Sequence, residues 1–200
     1  MSGHRWKRMT LRMNRSAVVY IAAINGPVLD GGLEIVLACD LRYAADAVHL
    51  RMAQMELLVA LIPGGGGSQR LLRMLGPARA IEHVLEGVPL TAREAFEHGL
   101  VHRVVPEKQL LAEAQATAAR LARRSPTAVA ALKRCLYFGT DRRLSRALDL
   151  ETAGFLAAGS TKAANSVLKP FIEDFERLGD TPFIADPGPW IAGTRFDQVG

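Results

Sequence analysis

The sequence predicts an α/β fold whose C-terminal part is helical. Short apolar strand patterns alternate with helical patterns in the first half of the chain, whereas only helical patterns follow residue 107. The 200 residues are 49% hydrophobic and 22% charged, which is ordinary for a globular protein. A chain of this length is long enough to bury one substantial core.

Residues 1–16 are predicted to form a basic, solvated N-terminal tail. They contain five cations and no acid, which accounts for the whole net charge of +5; the cations are Arg5, Lys7, Arg8, Arg12 and Arg15. The remainder of the chain is neutral, so we expect no nucleic-acid partner. An arginine-rich, acid-poor start is also typical of a mitochondrial transit peptide, and that alternative stays open.

The first strands and helix follow directly. "AVVYIAAIN" (17–25) is rich in β-branched residues and predicts a buried strand, closed by a turn at residues 25–27. A short helix is expected from about 32 to 39, starting on two glycines. Residues 41–44 predict a second strand, and 47–58 are expected to be extended or irregular.

The middle of the chain carries clear helix signals. Pro63 and the glycines 64–67 predict a loop, followed by a helix that stops at Gly76-Pro77 and another over 78–86. Thr91 and Glu94 have the spacing of a capping box, and Gly99 suits the end of that helix. Residues 100–105 predict a further strand.

The rest of the chain is predicted to be helical. Helices are expected over 107–124, from Ser125-Pro126 onward, over 141–158 and over 163–178. The last twenty residues, rich in proline, are expected to be irregular. We therefore divide the chain into the tail (1–16), a core (17–137) and a helical region (138–200).

Two further features bear on the cellular setting. No apolar run approaches the ~20 residues that a membrane helix needs, so no membrane partner is expected. Cys39 and Cys135 are the two cysteines, and both lie in apolar surroundings. Two such thiols do not make a disulfide framework, and they favour a reducing, cytoplasmic location.

Two lone carboxylates lie beside glycine-rich helix starts. Gly31 and Gly32 precede an apolar helix that contains Glu34, and Glu56 precedes the loop at 63–67. Free N–H groups at a helix start can stabilise a developing negative oxygen, and paired carboxylates suit general acid/base chemistry. The alternative is that the glycines only form a turn and Glu34 is solvated. A nucleotide phosphate loop is not indicated, because the glycine run lacks the required lysine.

The order of these motifs resembles the crotonase superfamily, the enoyl-CoA hydratase/isomerase family. The matching stretches are "IAAINGPVLDGGLEIVLACDLRYAADA", "MELLVALIPGGGGSQRLLRMLG" and "AIEHVLEGVPLTAREAFEHGLVHRVVP". The resemblance covers residues 17–137. It implies a spiral of ββα units and a helical C-terminal part that assembles the subunits into a trimer or hexamer.

The resemblance also implies roles for individual residues. The N–H of Gly31 would be one donor to the thioester oxygen of an acyl-CoA substrate. Glu34 would activate the water that attacks Cβ, and Glu56 would exchange the proton at Cα. Substrate contacts would come from Leu58 in the acyl pocket and from the loop residues Pro63, Gly64 and Gly65. No metal or redox cofactor is implied, because coenzyme A belongs to the substrate.

The sequence departs from the family pattern in three places. The family's other oxyanion donor belongs to an Ala-x-x-x-Gly-x-Asp motif that residues 1–16 do not contain, so the chain is expected to be N-terminally truncated relative to the family. Asp30 replaces a usual glycine, and we expect its side chain to point to solvent at the helix start. The C-terminus lacks the family's Lys-Arg pair.

Three functions are consistent with this pattern. The presence of both glutamates favours an enoyl-CoA hydratase. An enoyl-CoA isomerase moves one proton and can work with one glutamate. The absent N-terminal motif favours a catalytically impaired homologue that acts as a scaffold.

Overall fold

A computed structural model describes residues 3–195, which fall into two compact units. The first unit comprises residues up to Asn14 together with Tyr20–Gln115, and the second comprises Arg15–Val19 and the chain from Ala116 onward. The division therefore lies within a helix, earlier in the chain than the boundary after residue 137 that we drew from sequence.

The first unit alternates strands and helices. Its strands are β1 (Ile21–Ile24), β2 (Val28–Leu29), β3 (Leu41–Asp46), β4 (Met52–Ala53) and β5 (Arg103–Pro106). Its helices are α1 (Gly3–Arg15), α2 (Gly31–Ala38), α3 (Gly67–Glu86) and α4 (Ala92–Glu97), and α5 (Leu110–Leu121) runs from this unit into the second. A 3₁₀ turn spans Glu56–Val59.

The strands form two small parallel sheets. One has the order β1-β3-β5, with Ile21 opposite Leu41 and Tyr43 opposite Arg103. The other pairs β2 with β4, placing Val28 opposite Met52 and Leu29 opposite Ala53. Each ββα repeat thus gives one strand to each sheet. The carboxyl ends of β2 and β4 consequently lie side by side.

The core of the first unit is built from the inner faces of these elements. Leu33 and Leu37 of α2, Leu71 of α3, and Tyr43 and Met52 of the sheets are almost completely buried. The face of α2 that carries Leu33 and Leu37 therefore lies inside the unit.

The predicted solvated tail is wrong. Residues 3–15 form α1, and its residues Trp6, Thr10 and Asn14 recur at four-residue spacing along one helical face. Thr10 and Asn14 are buried, and the Asn14 side-chain amide donates to the carbonyl of Ala38 at 3.1 Å. The five cations do lie exposed, but on a helix that is docked against α2.

The second unit is helical. After the final part of α5 it contains α6 (Pro126–Gly139), α7 (Leu144–Gly159), α8 (Lys162–Leu178), α9 (Pro182–Ala185) and α10 (Pro187–Ala192). The predicted cap at Ser125 is confirmed, since its hydroxyl accepts from the N–H of Ala128. The expectation of an irregular ending is wrong for α9 and α10, where Pro182 and Pro187 occupy first helical positions, which proline favours.

Other boundaries differ in detail. The break predicted at Gly76-Pro77 appears as a kink within α3, where Gly76 has φ of 74°. The segment expected to be irregular, 47–58, contains β4 and the 3₁₀ turn. Among the described residues, no helix combines the length and the apolar character needed to cross a membrane.

The capping box at α4 gives a test of the fold. The Thr91 hydroxyl accepts from the N–H of Glu94 at 3.2 Å, and the Glu94 carboxylate accepts from the N–H of Thr91 at 2.8 Å. Thr91→Ala should therefore lower the free energy of unfolding by about 1 kcal/mol. Thr181 precedes α9 without a side-chain cap bond, so Thr181→Ala should cost less. Urea unfolding of both variants checks this, and equal losses would contradict the assigned role of Thr91.

Candidate active site

Glu34 lies inside the first unit and not in solvent, so the solvated alternative is wrong. It occupies the first turn of α2, and the whole residue is only 4% exposed. Its Oε1 accepts hydrogen bonds from the N–H groups of Gly65 and Gly67, at 2.7 and 2.8 Å. Gly67 begins α3, so the carboxylate lies at the positive end of that helix dipole. These contacts satisfy a buried charge and fix the glycine loop against α2.

Glu56 lies at the start of the 3₁₀ turn that follows β4. The residue is half-buried, and its Oε2 is a buried oxygen with no hydrogen-bond partner among the described residues. Burial raises the pKa of the Glu56 carboxyl above its usual range, and the negative charges of Asp30 and Glu34 raise it further. Glu34 therefore lies near enough to Glu56 for its charge to act on that carboxyl group, and the catalytic pairing of the two glutamates stays a prediction.

Gly31 is the first residue of α2, where N–H groups lack helical partners. The first helical bond runs from the N–H of Glu34 to the carbonyl of Asp30, at 3.1 Å. Gly31 is thus placed where its N–H could meet an acceptor from outside the helix. Its predicted role as an oxyanion donor stays a prediction.

Trp6 of α1 is a component of this site that the sequence reasoning missed. Its ring atoms Cζ2 and Cη2 lie 3.6 and 3.7 Å from the position that a Cβ at Gly31 would occupy. A Cβ at Gly65 would overlap the Trp6 ring edge, including Nε1, and also Oε2 of Glu34. Because Gly65 has no side chain, the loop can pack closely against the Trp6 indole and the Glu34 carboxylate. The Trp6 Nε1–H is a buried donor with no partner among the described residues.

The glycine loop supplies the rest of the wall. Pro63 and Gly65 are buried, and Gly64 is exposed. Gly66 has φ of 111°, a backbone conformation that favours glycine, and the Arg70 guanidinium donates to the carbonyl of Gly65 at 3.1 Å. Arg70 therefore helps to shape the loop.

Leu58 belongs to an exposed apolar segment, which we define as residues 57–62. Its side chain is 61% exposed, and its Cδ1 lies 3.5 Å from the position that a Cβ at Gly87 would occupy. Val59, Leu61 and Ile62 are also exposed, and Ala60 adopts a left-handed conformation with φ of 59°. The acyl contact predicted for Leu58 stays a prediction.

Asp30 is placed differently from our expectation. Its side chain does not cap α2. Its Oδ1 instead accepts from the N–H of Met55 at 2.7 Å, and its carboxyl group neighbours that of Glu56. The prediction that Asp30 points to solvent is therefore wrong. The parallel pairing of β2 with β4 is the reason, since it places Asp30 beside the residues that follow β4.

The described residues contain no group of three or more His, Cys, Asp or Glu side chains that could hold a metal ion. The histidines take other roles: His102 accepts from the N–H of Arg42 at 3.1 Å, and the His49 ring lies 3.2 Å from the carbonyl of Asn25. The Asp40 carboxylate accepts from the N–H of Tyr20 at 2.8 Å. The available chemistry is that of carboxyl groups, helix-start N–H groups and one indole.

Comparison with known proteins agrees with this arrangement. The family described as "Enoyl-CoA hydratase/isomerase" matches residues 3–177. The enoyl-CoA isomerase/hydratase fer4 of Mycosarcoma maydis is 35% identical over 165 residues, which is 82% of this chain and 60% of that protein. The putative enoyl-CoA hydratase/isomerase YngF of Bacillus subtilis is 40% identical over 153 residues, covering 76% of this chain and 58% of that one.

A solved structure shows the same fold. The enoyl-CoA hydratase from Bacillus anthracis superposes with a TM-score of 0.81 at 35% identity, covering 86% of this chain and 66% of the other. The chain spans about three fifths of the length of the curated relatives that it matches. The resemblance seen in the sequence is confirmed in family and fold: the chain belongs to the enoyl-CoA hydratase/isomerase family of the crotonase superfamily.

Proposed function

We propose that the chain carries an enoyl-CoA hydratase site, which adds water across the 2,3 double bond of an enoyl-CoA thioester. The observation that carries this proposal is the buried Glu34 in the first turn of α2, near enough to Glu56 for its negative charge to raise the Glu56 pKa. Relatives named as enoyl-CoA hydratases support it, including one of Bacillus subtilis that is 36% identical over 154 residues.

The two carboxyl groups suit different steps. Glu34 has one oxygen held by two N–H groups, which fixes its position and leaves Oε2 toward the site. It would take a proton from water as the water oxygen bonds to Cβ. Glu56, whose raised pKa favours the protonated form, would give a proton to Cα. The N–H of Gly31 would stabilise the enolate oxygen that forms between these events.

An isomerase reaction is the second candidate. The buried, unpartnered Oε2 of Glu56 favours it, because a single carboxyl group that takes a proton from one carbon and returns it to another needs only such an oxygen. Two assays separate the reactions: a 2-enoyl thioester reports hydration by loss of its conjugated absorbance, and a 3-enoyl thioester reports isomerisation by its gain. A protein inactive in both assays would fit the scaffold alternative.

The wider setting is also a proposal. We propose a role in fatty-acid or related acyl-CoA metabolism such as β-oxidation, with coenzyme A entering as part of the substrate and no cofactor needed for this acid/base chemistry. Free thiols at Cys39 and Cys135 support a cytoplasmic location.

We further propose assembly into a homotrimer or hexamer. The second unit supports this, since its helices expose large apolar side chains that a second copy could cover. These include Leu132, Leu136, Leu148, Phe155, Leu168 and Phe175.

The role of Glu56 has a direct test. Glu56→Gln keeps the shape of the side chain but removes its titratable proton, so kcat for crotonyl-CoA hydration should fall by about 10²–10⁴-fold. Glu97→Gln changes an exposed carboxylate on α4 and should leave the rate unchanged. Circular dichroism establishes that both variants fold, and an unaffected rate in the folded Glu56 variant would refute the assignment.

Trp6 offers a binding test that does not depend on turnover. Trp6 lines the site, whereas Trp190 is buried in the second unit and donates to Asp174 at 3.1 Å. In a Trp190→Phe variant, butyryl-CoA, which cannot be hydrated, should change the fluorescence of Trp6. The Trp6→Phe variant, which retains Trp190, should show no such change. A response that persists after loss of Trp6 would contradict its placement in the substrate site.

A further inference from the structure

Asp30 has a backbone conformation that is unusual for an aspartate. Its φ of 50° and ψ of −122° lie in a region that glycine adopts readily and other residues avoid. Such a conformation persists only where the surrounding contacts hold it in place. Asp30 is the residue between β2 and α2, so this strained position lies at the edge of the candidate active site.

Three hydrogen bonds tie Asp30 to the residues that lead to Glu56. The N–H of Asp30 donates to the carbonyl of Ala53 at 2.9 Å, and the carbonyl of Asp30 accepts from Gln54 Nε2 at 2.9 Å. The Asp30 carboxylate then accepts from the N–H of Met55 at 2.7 Å. Gln54 is fully buried, so this connection is partly shielded from water. Asp30 is thus hydrogen-bonded to each of the three residues that immediately precede Glu56.

The negative charge of Asp30 also lies near enough to the Glu56 carboxyl group to raise its pKa. A nearby negative charge disfavours the ionised form of Glu56, so Glu56 keeps its proton to a higher pH than an isolated carboxyl group would. Glu34 of α2 adds a further negative charge near Glu56. The Arg70 guanidinium of α3 binds the carbonyl of Gly65, and Trp6 of α1 is uncharged.

We propose that Asp30 is a positioning residue for Glu56, and that its carboxylate holds the chain that leads into Glu56 through the N–H of Met55. This inference rests on the proposed hydration reaction, in which Glu56 must begin protonated. As the water oxygen bonds to Cβ, Glu34 takes a proton from the water, and Glu56 gives its proton to Cα. The π bond is replaced by one C–O and one C–H bond. Transfer of the proton from Glu34 to Glu56 restores the starting state.

The test is the titration of Glu56 itself, which needs no substrate. Protein labelled with ¹³C at the glutamate carboxyl carbons gives one resonance per glutamate, and Glu56→Gln identifies the resonance of Glu56. In wild type, this resonance should titrate above the ordinary 4.5. Asp30→Asn keeps a hydrogen-bond acceptor for Met55 but removes the negative charge, so the titration midpoint of Glu56 should move to lower pH. Because Glu56 stays half-buried, its pKa should remain above the ordinary value.

Asp30→Gly provides a second variant that suits the local backbone, so the inference does not depend on the folding of the asparagine variant. It should lower the Glu56 midpoint as well and should also reduce kcat more than it changes KM, because the residue before Glu56 loses its hydrogen bond to the Asp30 carboxylate. In both variants the alkaline limb of the pH–rate profile should move to lower pH, and each pH unit of movement lowers kcat on that side about tenfold.

Asp46→Asn is the matched control, because Asp46 is an exposed carboxylate paired with Arg93 at 3.1 Å, and it should leave the Glu56 midpoint unchanged. An identical Glu56 titration in wild type and both Asp30 variants would overturn the inference. The titration also separates the two proposals: absence of hydration in wild type would refute the proposed reaction, while the movement of the Glu56 midpoint would still decide the role of Asp30.

Discussion

The two hydrogen bonds from Gly65 and Gly67 to Glu34 are the contacts on which the site depends. An ionised carboxylate that is 4% exposed is costly unless donors surround it, and removal of the donors leaves an uncompensated buried charge. Here the donors are backbone N–H groups at and just before the start of α3. If the glycine loop moved away, the buried Glu34 carboxylate would lose these hydrogen bonds. The placement of α2, of the glycine loop and of α3 is therefore coupled through one side chain.

The pairing of β2 with β4 supplies the second half of the site. These strands contribute only two residues each, yet their parallel register puts the residues after β2 beside the residues after β4. For this reason the Asp30 carboxylate binds the N–H of Met55, the residue before Glu56. Asp30 has a positive-φ backbone conformation that glycine adopts readily and aspartate avoids. Its hydrogen bonds to Ala53, Gln54 and Met55 hold it in that conformation.

Much of this arrangement could be predicted from the sequence because its signals are local. The capping box of α4, the proline start of α6 and the break at Gly76 each depend on residues within one turn of helix. The glutamates were found because each is a lone acid in an apolar stretch beside glycines. The hydrogen bonds of Glu34 could not be predicted, since they join residues more than thirty positions apart.

Trp6 and Asp30 lie where local sequence signals do not predict them, for two different physical reasons. The charge of residues 1–15 suggested a solvated tail, whereas the spacing of Trp6, Thr10 and Asn14 was the signal of a helix with one buried face. For Asp30, the helix dipole suggested a solvent-facing carboxylate, but the donor at Met55 decided its direction. The tertiary hydrogen bond to Met55 therefore outweighs the local field of the helix start in setting the direction of the Asp30 carboxylate.

The exposed apolar segment at residues 57–62 gives the two sides of the site unequal local stability. Glu34 lies in a helix with a fully buried face, whereas Glu56 begins a 3₁₀ turn whose following residues bury little apolar area. Segments of the latter kind open at a free energy below that of global unfolding and exchange their amide hydrogens sooner. With the proposed substrate, an acyl chain resting on the segment would remove its leucines from water and order the Glu56 side of the site in the same event. Substrate length would then influence turnover as well as affinity, because each added methylene would contribute to the ordering of the residue that delivers the proton.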